Sequence, residues 1–212
     1  MDVYPDQPTL LAPPIPSFGG YTPQQGELQG VTFWPRAGAR IIDTIVQYIV
    51  GFISAFLFGI MLLIASGGHA SPAVMAKLDH TGVPGFILAL LGGLAYHVIF
   101  SSVHGSTIGK IVFSMVVVQE DGSPCKFRSA LIRELGYFVD ALFFGLIAYS
   151  AMRDDIRQQR HGDSWAHTVV CKRALIPPEK RRGADRFVIA LIFALIAEAA
   201  FMMISLLLAI AG

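Results

Sequence analysis

The run from Thr44 to Ser66 contains no Asp, Glu, Lys or Arg. It is long enough to cross a bilayer as a helix, which takes about 20 apolar residues. The way this run begins constrains the fold most. The segment FWPRAGARIIDTIVQ, Phe33 to Gln47, feeds straight into it, and Pro35 suits the first turn of a helix. At about 100° per residue, Arg36, Arg40, Asp43 and Gln47 fall on one polar stripe of an otherwise apolar helix. Asp43 would lie about 12 Å along the axis from Pro35. An ionised carboxylate at that depth is costly unless it is paired or lines a wet cavity, so such residues are read as functional by default. Arg40 and Asp43, at i and i+3, could equally neutralise each other. Two readings follow from the stripe: a structural charge pair, or a transport or ligand site.

Only 15% of the residues are charged, against about 25% in soluble domains. Mean hydropathy is +0.58. An all-α polytopic membrane protein is expected. The net charge of +1 gives no nucleic-acid footprint. Cys125 and Cys171 stand in no CxxC or CxxH pattern, so neither a metal site, a disulfide framework nor a cofactor is expected. The start MDVYPDQP lacks a basic region followed by an apolar run. The expectation is therefore no cleavable signal peptide, with the first membrane helix serving as the insertion signal.

Residues 1–32 carry Pro5, Pro8, Pro13, Pro14, Pro16 and Pro23 and read as a disordered, partly polyproline II cytoplasmic tail. The tail is a spacer or a docking segment. Helix one is expected from about Pro35 to Ala65, with Gly51, Ala55 and Gly59 forming a ridge of small residues for internal packing or dimerisation. A second helix, at about 83–103, carries Tyr96 and His97; a lone His there suits hydrogen-bonded packing or a ligand role. Ile111 to Gln119 is rich in Val and Ile and precedes the turn signal Asp121-Gly122, so a surface strand or hairpin is expected. The preceding Gly105 to Lys110 is no phosphate loop. Three residues, not four, separate its glycines, and Ile111 stands where Ser or Thr would hold magnesium. Lys110 reads as an interfacial anchor.

The third apolar segment, about 128–152, has Arg133, Tyr137 and Asp140 on one face. Arg133 to Asp140 repeats the seven-residue spacing of Arg36 to Asp43. A short strand is expected at 166–171, lying beside residues 111–118, with Asp163 near the inner mouth of an Asp43/Asp140 site and paired with Arg157, Arg160 or Lys110. Residues 174–186 form a basic linker. A last membrane helix, at 187–211, carries Glu198 on the same face as Ala190 and Ala194.

Lysine and arginine counts bear on topology. Four crossings would split the 16 basic residues 6 against 10. If the third segment turns back, only Lys77 lies outside. Three true spans plus a re-entrant or interfacial segment, with a small cytoplasmic β element and a cytoplasmic N-terminus, is the expected arrangement.

The landmarks RAGARIID, STIGK, VVVQEDGSP, ALIRELGYFVD and RQQRHGDSWAHTVV occur in order over roughly residues 31 to 173. In them the chain resembles the RDD family of membrane proteins, named for one Arg and two Asp. By that resemblance the Arg is Arg36 and the first Asp is Asp43; the second is Asp140 or Asp163, with Asp140 favoured by its membrane position. The resemblance implies a role in transport in a bacterial inner membrane, with sodium/proton antiport among the family's activities. Helix four with Glu198 lies outside the pattern.

Two functions are expected. In the first, a homodimeric cation/proton exchanger uses Asp43 and Asp140, tuned by Arg36, Arg40 and Arg133 with Gln47 on the stripe; Asp163, Arg160, Lys110, Glu198 and His97 are secondary candidates. In the second, a non-transporting scaffold or assembly factor uses the Arg/Asp pairs as structural locks. An enzyme is the third reading, and Arg160, His161, Asp163 and His167 are its only candidate cluster. Anionic lipid is an expected partner at the basic loop.

Overall fold

The computed structural model describes residues 28–69, 82–153, 155 and 157–211. Most of the 1–32 tail and the polar loop with Lys77 lie outside the described residues. Helix α1 (Phe33–Ala65) and helix α2 (Gly82–Val103) are each long and apolar enough to cross a membrane, as is the C-terminal helix (Ala184–Ala211). Along α1, Trp34, Ile41, Ile45, Tyr48, Phe52 and Phe56 are exposed. A surface this apolar is suited to lipid, not water.

Between the second and last long helices the chain forms a compact layer. Helix α3 (Ile108–Val112) leads into strand β1 (Met115–Gln119). Helix α4 (Phe127–Asp140) follows, then α5 (Leu146–Arg153), bent from it by 100°. Helix α6 (His161–Trp165) leads into strand β2 (Thr168–Lys172), and the last long helix is α7. The bend falls where Phe143, Phe144 and Gly145 all take left-handed backbone, φ 51°, 58° and 84°. Gly145 takes this conformation freely; the two phenylalanines do so at a steric cost.

β1 and β2 pair antiparallel, Met115 opposite Lys172 and Gln119 opposite Thr168. The pairing of these two stretches follows the sequence expectation, but β1 starts later than expected. Residues 108–112, with three β-branched side chains, form a turn of helix because Thr107 and Asp43 satisfy its first N–H groups. The end of the expected tail is also held. Gly30 bridges Cys171, and the Val31 N–H donates to the Val170 carbonyl at 2.8 Å. Val31, Met115, Val117, Cys125, Ala130 and Val170 form the core beneath the strands. Both cysteines are buried, and burial pushes their thiols up, Cys171 to about 11. Neither is available to an impermeant reagent in the folded chain.

The layer repeats itself. Thr107-x-Gly109 and Arg160-x-Gly162 each open a five-residue helix. Two residues past the end of each helix stands a left-handed non-glycine residue, Ser114 (φ 53°) or His167 (φ 51°), and a five-residue strand follows directly. Gly109 packs on α1 at the Ala39 carbonyl, between Arg36 and Asp43; Gly162 packs on α4 at Gly136, between Arg133 and Asp140. The seven-residue Arg-to-Asp spacing is thus one part of a longer duplicated unit. In the two units Lys110 and Asp163 hold equivalent positions, with opposite charge.

Candidate functional site

Each of the two expected aspartates caps a short helix. Asp43 accepts the Gly109 N–H at 2.8 Å, the Thr107 hydroxyl at 2.6 Å and the Tyr96 hydroxyl at 2.9 Å. Asp140 accepts the His161 and Gly162 N–H groups, both at 3.2 Å, and lies 3.2 Å from His161 Nδ1. Carboxylates in this position offset the partial positive charge of a helix N-terminus.

The arginines go elsewhere. Arg36 meets Asp163 at 2.5 Å and also donates to the Val31 carbonyl. Arg133 meets the other Asp163 oxygen at 3.0 Å, and Arg160 lies 3.4 Å from that same oxygen. Arg40 bonds Glu134 at 3.0 Å and stacks on Tyr137. The expected pairings Arg36 with Asp43, Arg40 with Asp43 and Arg133 with Asp140 therefore do not form. Residues seven apart on a helix are separated by about 10 Å along its axis, so Arg36 and Arg133 found closer partners on other elements. Arg40, only three residues from Asp43, turns to Glu134 while Asp43 is taken up by Thr107, Gly109 and Tyr96. The expected partner set for Asp163 included Arg160, which holds, and Lys110 or Arg157, which do not replace Arg36 and Arg133.

Asp163 is thus the centre of the cluster, fully buried among three guanidiniums. Burial alone would raise its carboxyl, but Arg160, Arg133 and Arg36 together hold it well below the usual carboxylate range. Glu134 was not singled out in the sequence. The signal that could have found it is an acid within an apolar segment.

Lys110, expected at the lipid interface, instead lines a chamber of about 30 Å³ with Arg36, Arg40, Asp43, Arg133 and Glu134. Its ammonium has no ion-pair partner among the described residues. Burial, then Arg133, lowers its pKa from 10.5 to about 8, against the pull of Glu134 and Asp43. The folded chain therefore releases this proton before the unfolded chain does. Stability should rise as pH climbs from about 8 to 10.5. Thermal midpoints in detergent should show this rise in the wild type and a smaller one in Lys110→Met; equal rises would discount the burial.

Gln47 and Glu198 lie away from the cluster, and His97 borders it beside Glu134. Gln47 donates to the Gly93 carbonyl at 3.3 Å, joining α1 to α2. The Glu198 carboxylate lies over Gly92, joining α7 to α2. His97 is buried beside Tyr96, and neither of its ring nitrogens has a hydrogen-bond partner among the described residues. No group of three or more His, Cys, Asp or Glu among the described residues could hold a metal ion.

The RDD family model matches residues 31–167. The chain belongs to the RDD family. No curated protein and no solved structure matches it. The match takes in both Arg/Asp helices, both capped turns and Asp163, so the charge cluster is part of the RDD domain. Helix α7 with Glu198 follows it. The family and the apolar helices together make this an integral membrane protein.

Proposed function

We propose that this RDD protein is a non-enzymatic membrane scaffold whose Arg/Asp cluster is a structural lock. The observation that carries this reading is the state of the carboxylates. Asp43 and Asp140 are taken up by helix N–H groups and hydroxyls, and Asp163 and Glu134 by guanidiniums. Five basic side chains, Arg36, Arg40, Lys110, Arg133 and Arg160, face these four acids, so the cluster carries surplus positive charge. A sodium site needs bare oxygens and local negative charge, whereas the cluster's four acids among the described residues are already engaged by donors and cations. Cation/proton exchange stays as a second reading on one observation, the unpaired Lys110 beside the inner chamber.

The topology proposed with it has three spans and a re-entrant α4–α5 pair. β1 and β2 hydrogen-bond to each other, so the chain between them starts and ends on one side. That favours an even number of crossings between them, which a single bent pair meets by turning back or by lying at the interface. The positive-inside rule then assigns the β layer and N-terminus to the cytoplasm. A homo-oligomer is proposed through the α1 ridge, where Gly51 and Gly59 meet nothing within 4 Å.

The lock and the exchanger are told apart by cations. In detergent, Na⁺, K⁺ and Li⁺ should raise the thermal midpoint no more than choline does. Asp43→Asn should lower it, and proteoliposomes should show no pH-driven cation flux. Protection by one cation that vanishes in Asp43→Asn, or a measurable flux, would sink the lock reading.

A further inference from the structure

Alongside the charge cluster, α1 and the α4–α5 bend enclose a groove of about 470 Å³. That lies within the range of about 300–1,000 Å³ common for small-ligand sites. Its walls are mainly apolar, with Ile41 and Ile45 on one side and Ala148 and Met152 on the other. One end is cationic. Arg40 and Arg160 stand over the Tyr137 ring, 3.8 and 5.6 Å from its centre. Arg40 bonds Glu134 through one nitrogen, yet its side chain is still 29% exposed. Arg160 also lines the groove.

We propose that this groove is a binding site for an anionic phospholipid. Its phosphate would sit at Arg40 and Arg160, and an acyl chain would lie along Ile41 and Ile45. Charge complementarity is the first argument: Arg36, Arg40 and Arg160 line the groove beside one carboxylate, Asp140, and a head-group anion balances the excess. Geometry is the second. From Arg36 to Tyr48 the groove follows α1 for about 18 Å, its charged end beside the β layer and its other end along the uncharged run. The third is access. Ile41, Ile45, Tyr48 and Phe144 are exposed, so the groove opens on the face suited to lipid. Guanidiniums bind phosphate through paired N–H groups and stack on aromatic rings, which is the arrangement here. This site differs from the lipid contact expected on the outer surface of the basic loop. It does not depend on the scaffold reading, because an exchanger could hold the same lipid.

The test uses the full-length protein in neutral detergent, with bound lipid counted by native mass spectrometry. Phosphatidylglycerol and phosphatidylcholine of equal chain length are titrated in turn, with inorganic phosphate as a third arm. Phosphatidylglycerol should be retained roughly tenfold better than phosphatidylcholine, as two basic contacts at a membrane surface allow. Ala37→Phe and Ile45→Trp narrow the groove without touching an ion pair. Each should cut phosphatidylglycerol retention several-fold while leaving the lipid-free thermal midpoint near wild type. Arg40→Gln should erase the head-group preference. Equal retention of the two lipids would overturn the proposal, as would a preference unchanged in Ile45→Trp, which would move the lipid to the basic loop. Inorganic phosphate displacing phosphatidylglycerol at equal concentration would make this a free-anion site, and a change of oligomeric state in Ile45→Trp would make it a protomer interface. Either would also overturn the proposal.

Discussion

Asp163→Asn should destabilise the chain more than any other single polar substitution. The side chain keeps its shape and loses its charge, leaving Arg36, Arg133 and Arg160 without their shared anion. Arg133 is fully buried, and its Nη1 has no hydrogen-bond partner among the described residues. Removing one partner from a buried ion pair costs about 3–5 kcal/mol, because a desolvated charge is left behind. In a chain of this size that corresponds to a fall in thermal midpoint on the order of 10 °C. Thermal unfolding in detergent reads it directly. Removing a stranded cation should restore part of the loss, so Asp163→Asn with Arg133→Met should unfold above Asp163→Asn alone. A midpoint within about 2 °C of wild type would show that water or lipid screens the cluster. Asp163 has a lower pKa folded than unfolded, so its contribution is complete above 3.8 and is lost as pH falls from there toward the folded value.

Gly109→Ala should be among the most damaging additions of a single methyl group. A Cβ there would come within 2.0 Å of the Ala39 carbonyl oxygen and 3.0 Å of the Asp43 carboxyl carbon. The first is backbone in the middle of α1, so relief requires α3 to move off α1, taking Asp43 away from the Gly109 N–H and the Thr107 hydroxyl. Overpacking of this kind costs about 1–3 kcal/mol, and the lost cap about 1 more. Gly85→Ala, on α2 and outside the proposed α1 ridge, is the control. It meets nothing within 4 Å and should not lower stability. Equal effects of the two substitutions in chemical unfolding would mean that α3 is loosely docked.

The long helices were legible because their signal is local: an uncharged run of membrane length needs no knowledge of its neighbours. The strand pairing was legible for a different reason. Two short β-branched runs on one side of a membrane have few other ways to satisfy their backbones. The charge partners were not legible. Arg36 and Asp163 lie 127 residues apart, and nothing in the spacing of Arg36 and Asp43 reveals that each turns to a different element. Lys110 misled for a similar reason. Its place after a glycine in a polar loop resembles that of an anchor, whereas the turn that carries it is folded inward by Asp43. The duplicated unit was half visible, since the Arg-to-Asp spacing repeats, but Thr107-x-Gly109 and Arg160-x-Gly162 share too few letters to align without their backbones.

The duplication bears on how such a chain can change. In each copy an aspartate at the end of one stretch grips a glycine turn further on, across 66 residues in the first copy and 22 in the second. Both act as clasps, closing a loop of chain back to where it left. Among the described elements, the first loop contains the rest of α1 and all of α2, and the second the bend and α5. What is threaded through a clasp matters little to the clasp. Apolar hairpins could therefore be lengthened, shortened or exchanged between the two fasteners while the charged layer keeps its form.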